Sequence, residues 1–94
     1  MNKYESVIIV NPNLDDAGVK ALEEKFTGLI NENGKVESVE NMGKKRLAYE
    51  IKKCKEGIYI VFNFEAKPDS IKELERVYRI TDDVMKFIVV RKDK

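Results

Sequence analysis

The sequence predicts a single α+β domain whose elements run strand, helix, strand, strand, helix, strand. Three observations carry that prediction. The 94 residues are 43% hydrophobic, enough for one core and too few for two domains. Two segments repeat apolar residues at the three-to-four spacing of a helix. Four others are extended runs rich in β-branched and aromatic side chains.

The first strand runs from Lys3 to Asn11 and ends at the turn signal Asn11-Pro12-Asn13. Alternation puts Tyr4, Ser6, Ile8 and Val10 on one face and Glu5, Val7 and Ile9 on the other. Both faces carry apolar groups, so this strand belongs at the centre of its sheet. A helix follows, capped by Asn13 or Asp15, with Val19, Leu22, Phe26, Leu29 and Ile30 along one stripe. Asn33-Gly34 is expected to close it in the left-handed conformation. Val36 to Ile51 reads as extended, and its apolar phase shifts at Met42-Gly43, which predicts a bulge or bend.

Lys52 to Gly57 is expected as a hairpin connection. It leads to Ile58–Glu65, where Ile58, Ile60, Phe62 and Phe64 share one face and Tyr59, Val61, Asn63 and Glu65 the other. Pro68 and Asp69 open a second helix with the inner stripe Ile71, Leu74, Val77 and Tyr78. Thr81-Asp82-Asp83 ends it, and Met85 to Arg91 is the last strand, with Phe87 and Val89 on one side. This is the split β-α-β order of ferredoxin-like folds. Right-handed crossovers then put both helices on one face of a four-stranded antiparallel sheet and leave the other face bare. Residues 1–94 form one domain without repeat or linker.

Composition removes much of enzymology. His and Trp are absent and Cys54 is the only cysteine. No intramolecular disulfide, zinc finger, Cys–His nucleophile or histidine base can be built from such a chain. The apolar run Val7–Val10 is too short for a signal peptide or a membrane span, so a soluble protein of a reducing compartment is expected. Asp15-Asp16 and Asp82-Asp83 sit at helix boundaries, where capping is their expected role. Lone Cys54 rules out a paired-cysteine metal chaperone, and acidic Asn11–Asp16 is no phosphate cradle of the acylphosphatase kind. No catalytic constellation, cofactor or metal site is expected.

The net charge of +1 conceals segregation. Residues 15–40 hold seven carboxylates against three lysines, whereas residues 43–55 hold Lys44, Lys45, Arg46, Lys52, Lys53 and Lys55 against Glu50 alone. Residues 85–94 form a second basic cluster with Lys86, Arg91, Lys92 and Lys94. Solvation of an edge hairpin explains such lysines as readily as a polyanion does, on charge alone. Base stacking in the manner of an RNA-recognition motif is disfavoured, because Ile58 and Ile60 occupy the positions where that module carries rings and only Tyr59 is available.

The motifs decide between these readings. Tyr4-Glu5, Asn11-Pro12-Asn13-Leu14, Lys45-Arg46-Leu47-Ala48-Tyr49-Glu50-Ile51 and Gly57-Ile58-Tyr59 appear in order. Glu73-Leu74-Glu75-Arg76, Arg79-Ile80-Thr81-Asp82 and Val89-Val90-Arg91 follow. In this set the chain resembles the bacterial small-subunit ribosomal protein six family over essentially its whole length. It departs in having Glu50 where many members have proline, and it stops at Lys94 where some continue into an acidic tail, so tail-dependent contacts are not expected.

The resemblance implies a structural, non-enzymatic constituent of the cytoplasmic small ribosomal subunit, without membrane or small-molecule substrate. Members pair with small-subunit ribosomal protein eighteen, and the two bind the central domain of small-subunit ribosomal RNA. Phosphate contacts are then expected from Lys44, Lys45, Arg46, Lys86 and Arg91, with Arg79 and Lys3 as weaker candidates. Val7, Ile9, Tyr59, Val61, Ile88 and Val90, on the helix-free face or its rim, are the expected partner contacts. The rival class is a regulatory small-molecule module acting as a homodimer. It needs a glycine-rich ligand loop, whereas the glycines at 18, 28, 34, 43 and 57 are scattered.

Overall fold

A computed structural model describes residues 1–92, so Asp93 and Lys94 of the C-terminal basic cluster lie outside the described residues. The elements are β1 (Asn2–Val10), α1 (Asp16–Asn33), β2 (Gly34–Ile51), β3 (Cys54–Ala66), α2 (Pro68–Ile80) and β4 (Val84–Arg91). The strands pair in the order β2-β3-β1-β4, every pair antiparallel. The expected element order therefore holds, and β1 is central as its two apolar faces require.

Alternation along the central strands decides what is dry. Ile8, Val10, Ile60, Phe62 and Phe64 are buried under the helices, which contribute Val19, Phe26 and Ile30 from α1 and Leu74 and Tyr78 from α2. Phe26 meets Tyr78 edge-on with ring centroids 4.7 Å apart, and Phe62 with centroids 6.3 Å apart, so one ring joins both helices to the sheet. Ser6 is the one buried polar side chain among the described residues, and its hydroxyl shares a 2.8 Å hydrogen bond with the Tyr78 hydroxyl. That bond satisfies two groups whose burial would otherwise be costly.

Helix entry follows the expected chemistry. The Asp15 carboxylate accepts from the Gly18 N–H at 2.7 Å and caps α1, while Pro68 occupies the first turn of α2. Two expectations are corrected. Gly34 is not left-handed: its φ is −171°, and α1 passes directly into β2. A glycine stands there because a Cβ would collide with the Glu65 carbonyl of the paired strand. Nor is Lys52–Gly57 a loop. Ile51 pairs with Cys54, and the connection is only Lys52-Lys53. Residues 54–57 read as loop because Lys55 and Glu56 are exposed and no large apolar side chain among the four marks a buried face.

Phe62→Ala is expected to destabilise the fold by about 3–5 kcal/mol, read from the thermal or denaturant midpoint, because it empties the space against Phe26. Burial raises the Tyr78 phenol above its ordinary value, outweighing the Ser6 hydrogen bond, which acts in the opposite direction. The folded state therefore retains a proton that the unfolded phenol loses near pH 10, and the stability it lends is present below that pH and falls by about 1.4 kcal/mol per unit above it. Tyr78→Phe is expected to cost about 1–2 kcal/mol near neutrality, with the deficit shrinking in alkaline denaturation curves. A deficit independent of pH would contradict the burial of that hydroxyl.

Candidate nucleic-acid interface

Beyond the core, β2 and β3 continue as a two-stranded arm over residues 44–57. Its root is a bulge between Asn41 and Gly43, where Gly43 has φ +82° and the Asn41 side-chain oxygen accepts from the Gly43 N–H at 2.8 Å. This is the bend expected from the phase shift at Met42-Gly43. Lys44, Lys45 and Arg46 follow at once, opposite Ile58, Gly57 and Glu56. All three are exposed, and none of the six arm cations makes an ion pair with a described residue.

The arm also turns across the sheet. Tyr49, on edge strand β2, accepts a 2.9 Å hydrogen bond from the ammonium of Lys86 on β4, the opposite edge. Two strands lie between those edges, about 14 Å of sheet, so the arm must fold over one face. Lys86 pairs with Ile9, whose side chain points away from the helices, so the covered face is the helix-free one. Gly57 permits the passage, since a Cβ there would strike Ile9 and come within 3.1 Å of Met85. The Tyr49 hydroxyl holds the Lys86 ammonium above its ordinary pKa.

The tip is strained. Lys52 and Lys53 have φ of +50° and +66°, the left-handed pair of a type I′ hairpin turn, for which Asn-Gly is the favoured sequence. Two lysines there keep the tip cationic at a conformational cost.

The remaining candidate cations are not gathered with the arm. Lys3 lies at the other end of β1, its ammonium 4.0 Å from the Glu37 carboxylate. Arg91 donates to the Asn2 side chain at 3.2 Å near that same end. Arg79 stands on the helix side, its guanidinium 5.8 Å from the Phe87 ring centre. The apolar candidates do come together. Val61, Val7 and Ile88 form one row across the helix-free face, Tyr59 and Ile9 extend the next, and Val90 lies beside Glu5. Ile88 is 51% and Val90 44% exposed, large apolar groups presented to solvent. Val7, Ile9, Tyr59, Lys86, Phe87 and Ile88 line a groove of about 180 Å³ beside the arm. Tyr49 was missed as a ring over this face, because a signal confined to neighbouring residues does not show that β2 curls back to β4.

Fold and surface together define an α+β sandwich with a cationic arm, an apolar open sheet face and, among the described residues, no cluster of metal-type ligands. The model of the family described as ribosomal protein S6 matches residues 3–91. The chain is 50% identical over 95 aligned positions to the small ribosomal subunit protein bS6 of Clostridium novyi, covering all of both. It is 51% identical to that of Symbiobacterium thermophilum, over 97% of each. The crystal structure of 30S ribosomal protein S6 from Thermotoga maritima superposes with a TM-score of 0.92 at 36% identity, over 97% of this chain and 87% of that one. An Arabidopsis thaliana protein at TM-score 0.57 and 12% identity shares the fold alone.

The chain belongs to the ribosomal protein S6 family. It is a structural protein of the small subunit of the cytoplasmic ribosome and not an enzyme, which displaces the reading as a small-molecule regulatory module.

Replacing the tip by Lys52→Asn with Lys53→Gly is expected to raise stability by about 1–2 kcal/mol, because the left-handed strain is relieved. A calorimetric midpoint that stays or falls would mean that the lysines are unstrained.

Proposed function

We propose that the chain grips the phosphate backbone in the central domain of small-subunit ribosomal RNA with its arm, while small-subunit ribosomal protein eighteen covers the helix-free sheet face. The observation that carries this reading is the arm itself. It projects six cations against Glu50 and Glu56, away from any core that would need it. A strand pair that buries little contributes little to folding and is there for what it presents to a partner.

Lys44, Lys45 and Arg46 are the central phosphate contacts, and Lys86 joins them through the Tyr49 bond. Arg91, Lys3 and Arg79 meet other stretches of backbone from the far end of the sheet and from the helix side. Contacts of this kind release counterions and read shape, with little discrimination between bases. The apolar rows of Val7, Ile9, Tyr59, Val61, Ile88 and Val90 supply the protein contact, since removing Ile88 and Val90 from water is favourable. A near-neutral protein suits this division, because a second protein adds cations and the pair holds more RNA than either alone.

Arg46→Ala is expected to weaken association with the ribosomal RNA by about 1–2 kcal/mol and to lower the slope of log affinity against log salt by roughly one. The thermal midpoint stays unchanged, because Arg46 is exposed and outside the core. An affinity equal to the parent's across the salt titration would remove Arg46 from the interface.

A further inference from the structure

We propose that Tyr49 is a stacking platform for one unpaired base of the RNA, an assignment that rests on the phosphate-binding reading of the arm. Three features of the structure meet at this ring. First, it is 63% exposed, a large aromatic surface left in water on a segment that has no core to join. Second, its position is held. Lys86 donates to the hydroxyl at 2.9 Å and lies 5.4 Å from the ring centre. That second distance is nearly the sum of the first and the span from ring centre to hydroxyl oxygen. The ammonium therefore sits towards the hydroxyl edge of the ring, and the bond fixes where the ring stands over the sheet. Third, the cations needed for the flanking phosphates are in place. Lys86 is at the ring's edge, and Arg46 and Lys55 line the same shallow recess as Tyr49.

An aromatic plate within a cationic strip is the physical combination that holds single-stranded nucleic acid. Every base has a π-face, so stacking adds affinity without demanding a sequence. A ring already pinned by a hydrogen bond loses little rotamer freedom when the base arrives. Sequence alone leaves Tyr59 as the available ring on this face. Tyr59 is half-buried in the sheet, whereas Tyr49 is carried over the sheet by the arm.

The test uses the full chain and two short oligoribonucleotides of equal length and charge, one carrying adenines and one abasic at its centre. The chain has four tyrosines and no tryptophan, so tyrosine fluorescence reports stacking without indole emission, and the quenching lost in Tyr49→Leu is that of Tyr49. The parent is expected to bind the adenine strand more tightly, with quenching. Tyr49→Leu is expected to lose about 5- to 150-fold of that affinity, the range that corresponds to the worth of one stacked base. It lowers the abasic strand's affinity only by what loss of the Lys86 bond costs, the same loss that Tyr49→Phe shows, whereas Tyr49→Phe keeps the ring and retains the preference for the adenine strand. Equal affinity for the two strands, no binding of either, or a Tyr49→Leu defect confined to assembly with a protein partner overturns the proposal. Salt-dependent binding without base preference would leave the phosphate reading standing. Loss of salt dependence in ribosomal RNA binding as well would overturn both.

Discussion

The handedness of two chain crossovers is the constraint on which the rest of the molecule depends. A right-twisted strand leading into a right-handed helix returns to its sheet on one side only, so α1 and α2 lie on the same face. That face becomes the core, sealed by Phe26 between Tyr78 and Phe62 and by the Ser6–Tyr78 hydrogen bond beneath them. The opposite face is left with Val7, Val61 and Ile88 and nothing in the chain's own helices to cover them. A domain built this way folds alone and still presents an unfinished surface.

The arm occupies part of that surface through a small set of local devices. Gly43 supplies a backbone conformation that other residues reach only with strain, and Gly57 supplies the clearance for a strand to pass Ile9. The Tyr49–Lys86 bond then fixes the end of the movement. Lys52 and Lys53 break the local rule for turn composition, and such departures concentrate where function outranks stability. The charge asymmetry follows the same geometry. Exposed acids and bases on α2 neutralise each other, as in the Glu73–Arg76 pair at 2.7 Å, whereas the arm's cations find no such partner among the described residues.

The sequence made much of the fold legible because burial imposes period. Ile58, Ile60, Phe62 and Phe64 alternate, the two helical stripes recur at three and four, and each assignment agrees with the observed core. Legibility failed where burial stops. Residues 54–57 carry no large apolar side chain, so their pairing as a strand left no trace in hydrophobic pattern. Gly34 suggests a left-handed cap because that is glycine's commonest use after a helix, whereas its close approach to Glu65 is what requires it. At the surface, the cluster Lys44-Lys45-Arg46 was evident as charge. The meeting of Tyr49 with Lys86 was not, since it joins positions 37 apart across the width of the sheet.

Cys54, the only cysteine, stands in the arm just past the turn and offers a natural attachment point for an iron chelate that generates hydroxyl radicals. Cleavage of small-subunit ribosomal RNA in the assembled particle, compared between that position and a Cys54→Ser, Lys72→Cys variant with the probe on α2, tests the central claim most directly. The account predicts strong, localised backbone cleavage from the arm and little from the helix layer. Cleavage concentrated on the α2 probe, with the arm silent, would contradict it.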